Sequence, residues 1–342
     1  MNPKKILVTG GAGYIGAHTV VELVQAGMEP VLVDDLSRSN TSLLEGAEKI
    51  LGRKLLFYKV DCTDGSQLRK VLHQHKDIDS VIHFAAFKSV NESVQKPLMY
   101  YQNNLGSLTT TLEVMKEFSI RKHIFSSSCT VYGQPDEIPV REETPFKRAE
   151  SAYGATKQIC ERILEDEVKA WPSLKVISLR YFNPIGAHPS GLIGELPMGV
   201  PNNLVPFITQ TAIGKRKKLT VFGADYHTPD GSCLRDFIHV VDLAQAHVRA
   251  LQKIDESPNR FEAINIGSGR PVSVLELVNT FIKVTGVSVK YAIGPRREGD
   301  IEKVYADPGK SFQLLNWKTR LSLEEALRDA WNWEQKLKHA PH

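Results

Sequence analysis

The amino-acid sequence predicts an α/β fold, a doubly wound parallel sheet followed by a smaller, mixed α/β region, and three observations carry that expectation. Short apolar runs alternate with helical stretches through the first half of the chain, the rhythm of parallel strands joined by crossover helices. The first run ends in a glycine-rich turn that opens a helix. After Tyr181 the alternation gives way to a stretch rich in Pro and Gly, 183–206, with few periodic runs.

In order, strands are expected at 6–9, 30–33, 55–60, 80–84, 124–127 and 176–179. The first helix runs to Ala26, with Val20, Leu23 and Val24 on its apolar face and Gly27 as its C-terminal cap. Two longer helices, 103–117 and 153–170, carry apolar stripes, and either can serve as a subunit interface. These elements assign 1–182 to a first domain and 183–342 mainly to a second. Residues 235–250 read as strand then helix and are expected to return to the first domain.

The bulk properties exclude several function classes. With 342 residues, 42% of them apolar, the chain can bury a core of enzyme size. Its formal charge of +4 makes no case for nucleic acid, which calls for a clustered basic face. The one dense basic run, Lys215, Arg216, Lys217 and Lys218, reads as a solvated helix end. Met1 to Lys5 lead straight into a strand, with no apolar stretch long enough for a signal peptide or a membrane span, so a cytoplasmic protein is expected. Cys62, Cys129, Cys160 and Cys233 are widely spaced and fit neither a disulfide framework nor a metal site, so reduced thiols and no metal are expected.

The glycine turn has the spacing of a dinucleotide site. Gly10, Gly13 and Gly16 let the chain turn tightly, bring backbone N–H groups against a pyrophosphate and pack the helix close to the strand. Tyr14 and Ile15 lie within the same turn. Asp34 closes the second strand, where a carboxylate accepts from adenosine ribose hydroxyls and repels a 2′-phosphate. A Rossmann-type sheet holding NAD rather than NADP is therefore expected, with Arg38 the one neighbour that favours the phosphorylated cofactor. Asp61, after the third strand, fits an acceptor for the adenine amino group and equally a cap for the chain from Thr63 onward.

Tyr153 and Lys157 stand four apart on one helical face, and Ser126, Ser127 and Ser128 lie at the carboxyl end of a preceding strand, where parallel sheets place ligands. This set resembles the Ser-Tyr-Lys centre of the extended short-chain dehydrogenase/reductase family. The resemblance spans nearly the whole chain. Phe125-Ser126-Ser127-Ser128-Cys129-Thr130-Val131-Tyr132-Gly133 and Arg180-Tyr181-Phe182-Asn183-Pro184-Ile185-Gly186-Ala187-His188 look specifically like the nucleotide-sugar 4-epimerases of that family.

The resemblance implies a UDP-hexose as substrate, UDP-glucose and UDP-galactose being interconverted through a transient 4-keto sugar. Tyr153 is then the base, its ordinary pKa of about 10 lowered by the Lys157 ammonium and a positive nicotinamide ring. Ser128 holds the 4-hydroxyl oxygen. Lys157 also holds the nicotinamide ribose, and Cys62, Phe84, Lys88, Asn103 and Phe182 are implied as further cofactor contacts. Lys88 reads equally as an exposed loop lysine.

Residue chemistry adds Arg235 and Arg297, each able to fork onto a diphosphate. By resemblance, Asn183 faces the phosphate and sugar, Asn203 lies beside the diphosphate, Phe222 in a uracil pocket, and Asp300 accepts from the uridine ribose. Val304 stands at a position whose size is associated with room for an N-acetyl group, and valine is intermediate, so N-acetylated or pentose substrates are an open alternative. A homodimer through the two long helices is implied as well. A 4,6-dehydratase of the family places Asp-Glu after the catalytic hydroxyl, where this chain has Cys129-Thr130, which cannot do that work. A non-catalytic NAD-binding module on the same fold has no need of Ser128, Tyr153 and Lys157 together.

Overall fold

The computed structural model of the chain describes residues 3–297 and 301–339. Its strands in chain order are β1 (Lys5–Thr9), β2 (Glu29–Asp34), β3 (Leu56–Lys59), β4 (Ile78–His83), β5 (Lys122–Ser126), β6 (Lys175–Tyr181), β7 (Asn183–Ile185), β8 (Leu219–Phe222), β9 (Leu234–His239), β10 (Phe261–Ile266), β11 (Pro271–Ser273), β12 (Tyr291–Gly294) and β13 (Lys303–Val304). A seven-stranded sheet runs β10-β6-β5-β4-β1-β2-β3. Every pairing in it is parallel.

Alternation along the strands explains the two covered faces. Ile6, Val8, Leu32, Ile82, Ile124 and Ile177 point into one core with Val20 and Leu23 of the helix Tyr14–Gln25 and Leu243 of the helix Val240–Lys253. Their neighbours Leu7, Val31, Val33, Val81, Phe125 and Val176 point the other way. There they meet the helices Gly65–Gln74, Pro97–Glu117 and Ala152–Ala170 through Leu68, Leu108, Leu112 and Leu164. A period of two between buried helix layers is what a doubly wound sheet requires. The strand order reverses between β1 and β4, which opens a crevice at their carboxyl ends.

The smaller part gathers β11-β9-β13 with β7 on β9, and a separate β12-β8 pair. Its core of Ile185, Ile208, Val221, Leu277, Phe281 and Leu327 lies under the helices Leu204–Ala212, Val274–Thr285 and Leu323–His339. The strand-then-helix segment after Arg235 divides between the two parts. β9 belongs to the small sheet, whereas the helix Val240–Lys253 lies in the core under the large one.

β10, with no counterpart among the expected strands, forms the edge of the large sheet beside β6. Glu262 and Asn265 interrupt its apolar run. Asn265 is nonetheless fully buried, because its side chain accepts from Tyr132 Oη at 2.6 Å and donates to Val140 O at 3.0 Å.

A buried ion pair ties β5, β6 and the helix Ala152–Ala170 together. Arg180 forks onto Glu161, with Nη2 2.6 Å from Oε2 and Nε 3.0 Å from Oε1, and Ser127 and Ser178 donate to the same carboxylate. Among the described residues no helix is long and apolar enough to cross a membrane.

Candidate active site

The crevice opens into one cleft of about 920 Å³ that runs from the glycine turn to the small sheet. Gly10 has φ +69°, the left-handed region, and a Cβ there would lie 2.8 Å from Ala85 N. A Cβ on Gly16 would run into the Gly10 carbonyl oxygen. Backbone therefore packs on backbone at both positions, leaving the start of the helix Tyr14–Gln25 open to a ligand. Gly16→Ala is expected to cost about 1–3 kcal/mol of stability in denaturant unfolding, the usual price of forced overpacking; an unchanged midpoint would mean that the turn relaxes freely.

Asp34 ends β2 at the cleft wall. Its Oδ2 accepts from Ala12 N at 3.1 Å, and its Oδ1 from Leu36 N at 2.9 Å and Ser39 Oγ at 2.8 Å. Burial holds this carboxyl above its ordinary value, and those hydrogen bonds offset only part of the rise. Arg38 pairs with Glu92 at 3.0 Å and lies over the Phe87 ring, so its charge is already engaged.

Asp61 accepts from Thr63 N and Oγ1, both at 2.8 Å, and also lines the cleft, so it serves a turn and faces the site at once. The cap of the following helix is Asp64. Cys62, Phe84, Lys88 and Asn103 line the cleft too, with burial pushing the Cys62 thiol up. Asn104, which sequence reasoning passed over, is the buried one of the asparagine pair. It holds Phe87 through both backbone N and O and donates to Thr156 at 3.1 Å, linking the loop after β4 to the helix of Tyr153. A polar residue on the buried stripe of a helix was the available signal.

Ser151 caps the helix Ala152–Ala170 and sets Tyr153 in its first turn. Ser128 stands beside the Tyr153 phenol and works to lower it, and its Oγ accepts from Thr130 N at 3.2 Å. Lys157 is buried; its Nζ donates to Ser126 O at 2.6 Å and lies 5.9 Å from the Tyr153 ring centroid. Burial lowers Lys157 to about 8, so it keeps its proton at neutral pH. The expected lowering of Tyr153 is not met by the protein's own charges. Burial dominates and, with Tyr181 beside it, pushes the phenol well above its ordinary value.

Tyr181 is a second residue absent from the expected set, although it lies in the Arg180 to His188 motif. It lines the cleft with its Oη 2.8 Å from Ser126 Oγ, and burial pushes it up to about 12.

On the far wall stand Asn183, Asn203, Phe222, Arg235 and Arg297. The Oδ1 of Asn183 is buried with no hydrogen-bond partner in the protein, an acceptor waiting for a donor. Arg297 lies over the Phe222 ring at 5.5 Å, and Arg235 pairs in register with Val304. Two expected contacts are not on the cleft wall. Ser128 sits just behind it, between the lining residues Ser126 and Cys129, and Phe182 is buried in a cluster with Val131, Tyr132, Val140, Val304 and Ala306. Asp300 lies outside the described residues. Lys215 to Lys218 follow the helix Leu204–Ala212 and do not line the cleft. All four cysteines are free, and among the described residues no group of three or more His, Cys, Asp or Glu is placed to hold a metal.

Comparison with known proteins agrees with this geometry. The chain is 48% identical over 333 residues to UDP-glucose 4-epimerase 2 of Arabidopsis thaliana, covering 96% of this chain and 95% of that one. Its fold superposes with a TM-score of 0.93 on UDP-glucose 4-epimerase from Bifidobacterium longum in complex with NAD+ and UDP, at 44% identity over 97% of this chain and 98% of that one. A TM-score of 0.95 relates it to UDP-glucose-4-epimerase from Stenotrophomonas maltophila with bound NAD and formylated UDP-arabinopyranose, at 43% identity over 99% and 100% of the two chains. The pattern of the NAD dependent epimerase/dehydratase family matches residues 6–267, the stretch that builds the seven-stranded sheet and the Tyr153 centre, and the chain belongs to that family.

Proposed function

We propose that the protein is an NAD-dependent UDP-hexose 4-epimerase that interconverts UDP-glucose and UDP-galactose. The observation that carries this reading is a single cleft that joins the glycine turn, the Tyr153 and Lys157 pair and the two arginines. The close relatives named UDP-glucose 4-epimerase, and the similar structures that hold NAD with UDP or a UDP-sugar, support it.

The residues present fit both ligands. The turn at Gly10, Gly13 and Gly16, a cradle that side chains would fill, suits the pyrophosphate of NAD, with Tyr14 and Ile15 at the helix start. Asp34 suits the adenosine ribose, Asp61 and Cys62 the adenine side, and Phe84, Lys88 and Asn103 the rest of the cofactor, while Phe182 is assigned to it on the resemblance alone. The orphaned Asn183 oxygen, Asn203, Arg235 and Arg297 suit the diphosphate and sugar, and Phe222 the uracil. Asp300 is assigned to the uridine ribose on the resemblance alone.

Tyr153 takes the proton of the 4-hydroxyl while Ser128 steadies the oxygen left behind. NAD, when bound, accepts the C4 hydride and gives it back, and its oxidised ring supplies the positive charge that a deeply buried phenol needs. The 4-keto sugar turns about its link to the diphosphate, and Tyr153 returns the proton once the other face is presented. The anchors are therefore placed on the nucleotide, away from the hexose. Incubation with UDP-galactose alone tests the reading. UDP-glucose with no net NADH supports it, and an unsaturated or 6-deoxy product redirects it to a dehydratase.

Val304 favours a second substrate class. It is buried at the cleft wall beside Arg235, with Val131 and Tyr132 behind it, and its side chain is short. Turnover of UDP-N-acetylglucosamine is expected, and Val304→Tyr is expected to lower it about 10- to 100-fold while sparing UDP-galactose, by the scale at which pocket size discriminates. Equal losses on both substrates would remove Val304 from substrate choice.

We further propose a cytoplasmic homodimer packed through the helices Pro97–Glu117 and Ala152–Ala170, on which Leu98 and Ile159 are exposed. A single sedimentation mass of two chains supports it.

A further inference from the structure

Glu195 stands inside the cleft, where neither the motifs nor the chemistry proposed for it gives a carboxylate any task. Its side chain is only 12% exposed, and its Oε1 accepts from two groups at once, Lys88 Nζ at 3.2 Å and Asn203 Nδ2 at 2.5 Å. These donors come from opposite walls. Lys88 follows β4 and lies 5.8 Å from the ring centroid of Tyr14 in the glycine turn. Asn203 begins the helix Leu204–Ala212 on the small-sheet side.

Asn203 occupies the capping position of that helix yet makes no side-chain cap, its amide being turned to Glu195 instead. The Glu195 backbone is itself fixed, its carbonyl accepting from the indole of buried Trp333 at 2.9 Å. A negative charge in a cleft for two diphosphates repels both ligands, so anion binding alone gives no reason for it. Holding one donor from each wall on a single oxygen does give a reason.

We infer that Glu195 is a positioning residue that couples the two nucleotide sites, keeping Lys88 of the cofactor wall and Asn203 of the nucleotide-sugar wall in register. The inference rests on the reading of the cleft proposed above. Its consequence is that a change at Lys88 is felt by UDP through Glu195.

The test is a mutant cycle read by calorimetric titration of UDP into the protein as purified, with cofactor content measured in parallel. Lys88→Ala is expected to weaken UDP binding about 3- to 30-fold, within the range of couplings between contacting residues. In the Glu195→Ala background, which removes the shared oxygen, the same change is expected to have no further effect. Glu195→Asp, which keeps the charge and shortens the reach, provides the same comparison should Glu195→Ala not fold. A loss of equal size in both backgrounds, which is what direct contact of Lys88 with UDP gives, overturns the inference, and so does no loss in either. A wild-type chain that does not bind UDP sinks the reading of the cleft and this inference with it. An uncoupled cycle in a chain that binds UDP sinks the inference alone.

Discussion

Tyr153→Phe is expected to lower turnover of UDP-galactose by about 10²- to 10⁴-fold, the range that a positioned acid–base group contributes, while leaving the fold and the bound NAD in place. The ring stays and only the hydroxyl is lost, so the packing around a residue that is almost wholly buried changes little. What disappears is the acceptor for the 4-hydroxyl proton, which stands beside Ser128.

The size of the loss follows from the electrostatics. Burial holds this phenol well above its ordinary pKa, so the base form exists only when positive charge stands beside it. Lys157 keeps its proton below about 8, and Ser126 O orients that ammonium. As pH rises through that value the buried charge is lost, so wild-type turnover is expected to fall on the alkaline side. Turnover retained by the phenylalanine variant would remove Tyr153 from the chemistry.

The second large effect is on stability. Arg180→Met is expected to destabilise the protein by about 3–5 kcal/mol, because it strands the buried Glu161 carboxylate without its partner. Both side chains are nearly inaccessible, at 5% and 1% exposure, so water cannot replace the guanidinium. Glu161 lies one turn beyond Lys157 on the same helix and also receives Ser127 and Ser178, so the loss is expected to loosen the seat of the helix that carries Tyr153. Denaturant unfolding measures the cost. Pairing Arg180→Met with Glu161→Gln is expected to recover part of it, since the stranded charge is then gone. A single variant as stable as the wild type would show that the pair is solvated or replaceable.

How much of this was legible in the chain depends on how local the cause is. The glycine turn, Asp34 and the Tyr153 and Lys157 spacing are local, and each stands where its spacing places it. Strand alternation was legible for the same reason, since Ile6, Leu7 and Val8 report their two faces directly.

β10 was not legible, because the partners that permit a buried asparagine in a strand, Tyr132 and Val140, lie more than a hundred residues away. Glu195 left no trace either, its meaning being made by Lys88 and Asn203 arriving from two sides. The share of the protein alone in the Tyr153 shift was not legible from spacing, because burial, which raises the phenol, is set by the whole fold. Four residues on a helix put the amine near the ring, but the carbonyl of Ser126 that accepts its hydrogen bond comes from β5, on a separate element.

The claim beneath all of these expectations is that hydrogen leaves C4 as hydride, stays within the protein and returns to the same carbon. UDP-galactose carrying deuterium at C4 tests it most directly, with product examined after turnover in ordinary water. The account predicts UDP-glucose that retains the deuterium at C4 in full. UDP-glucose whose label has washed out into the solvent would contradict it.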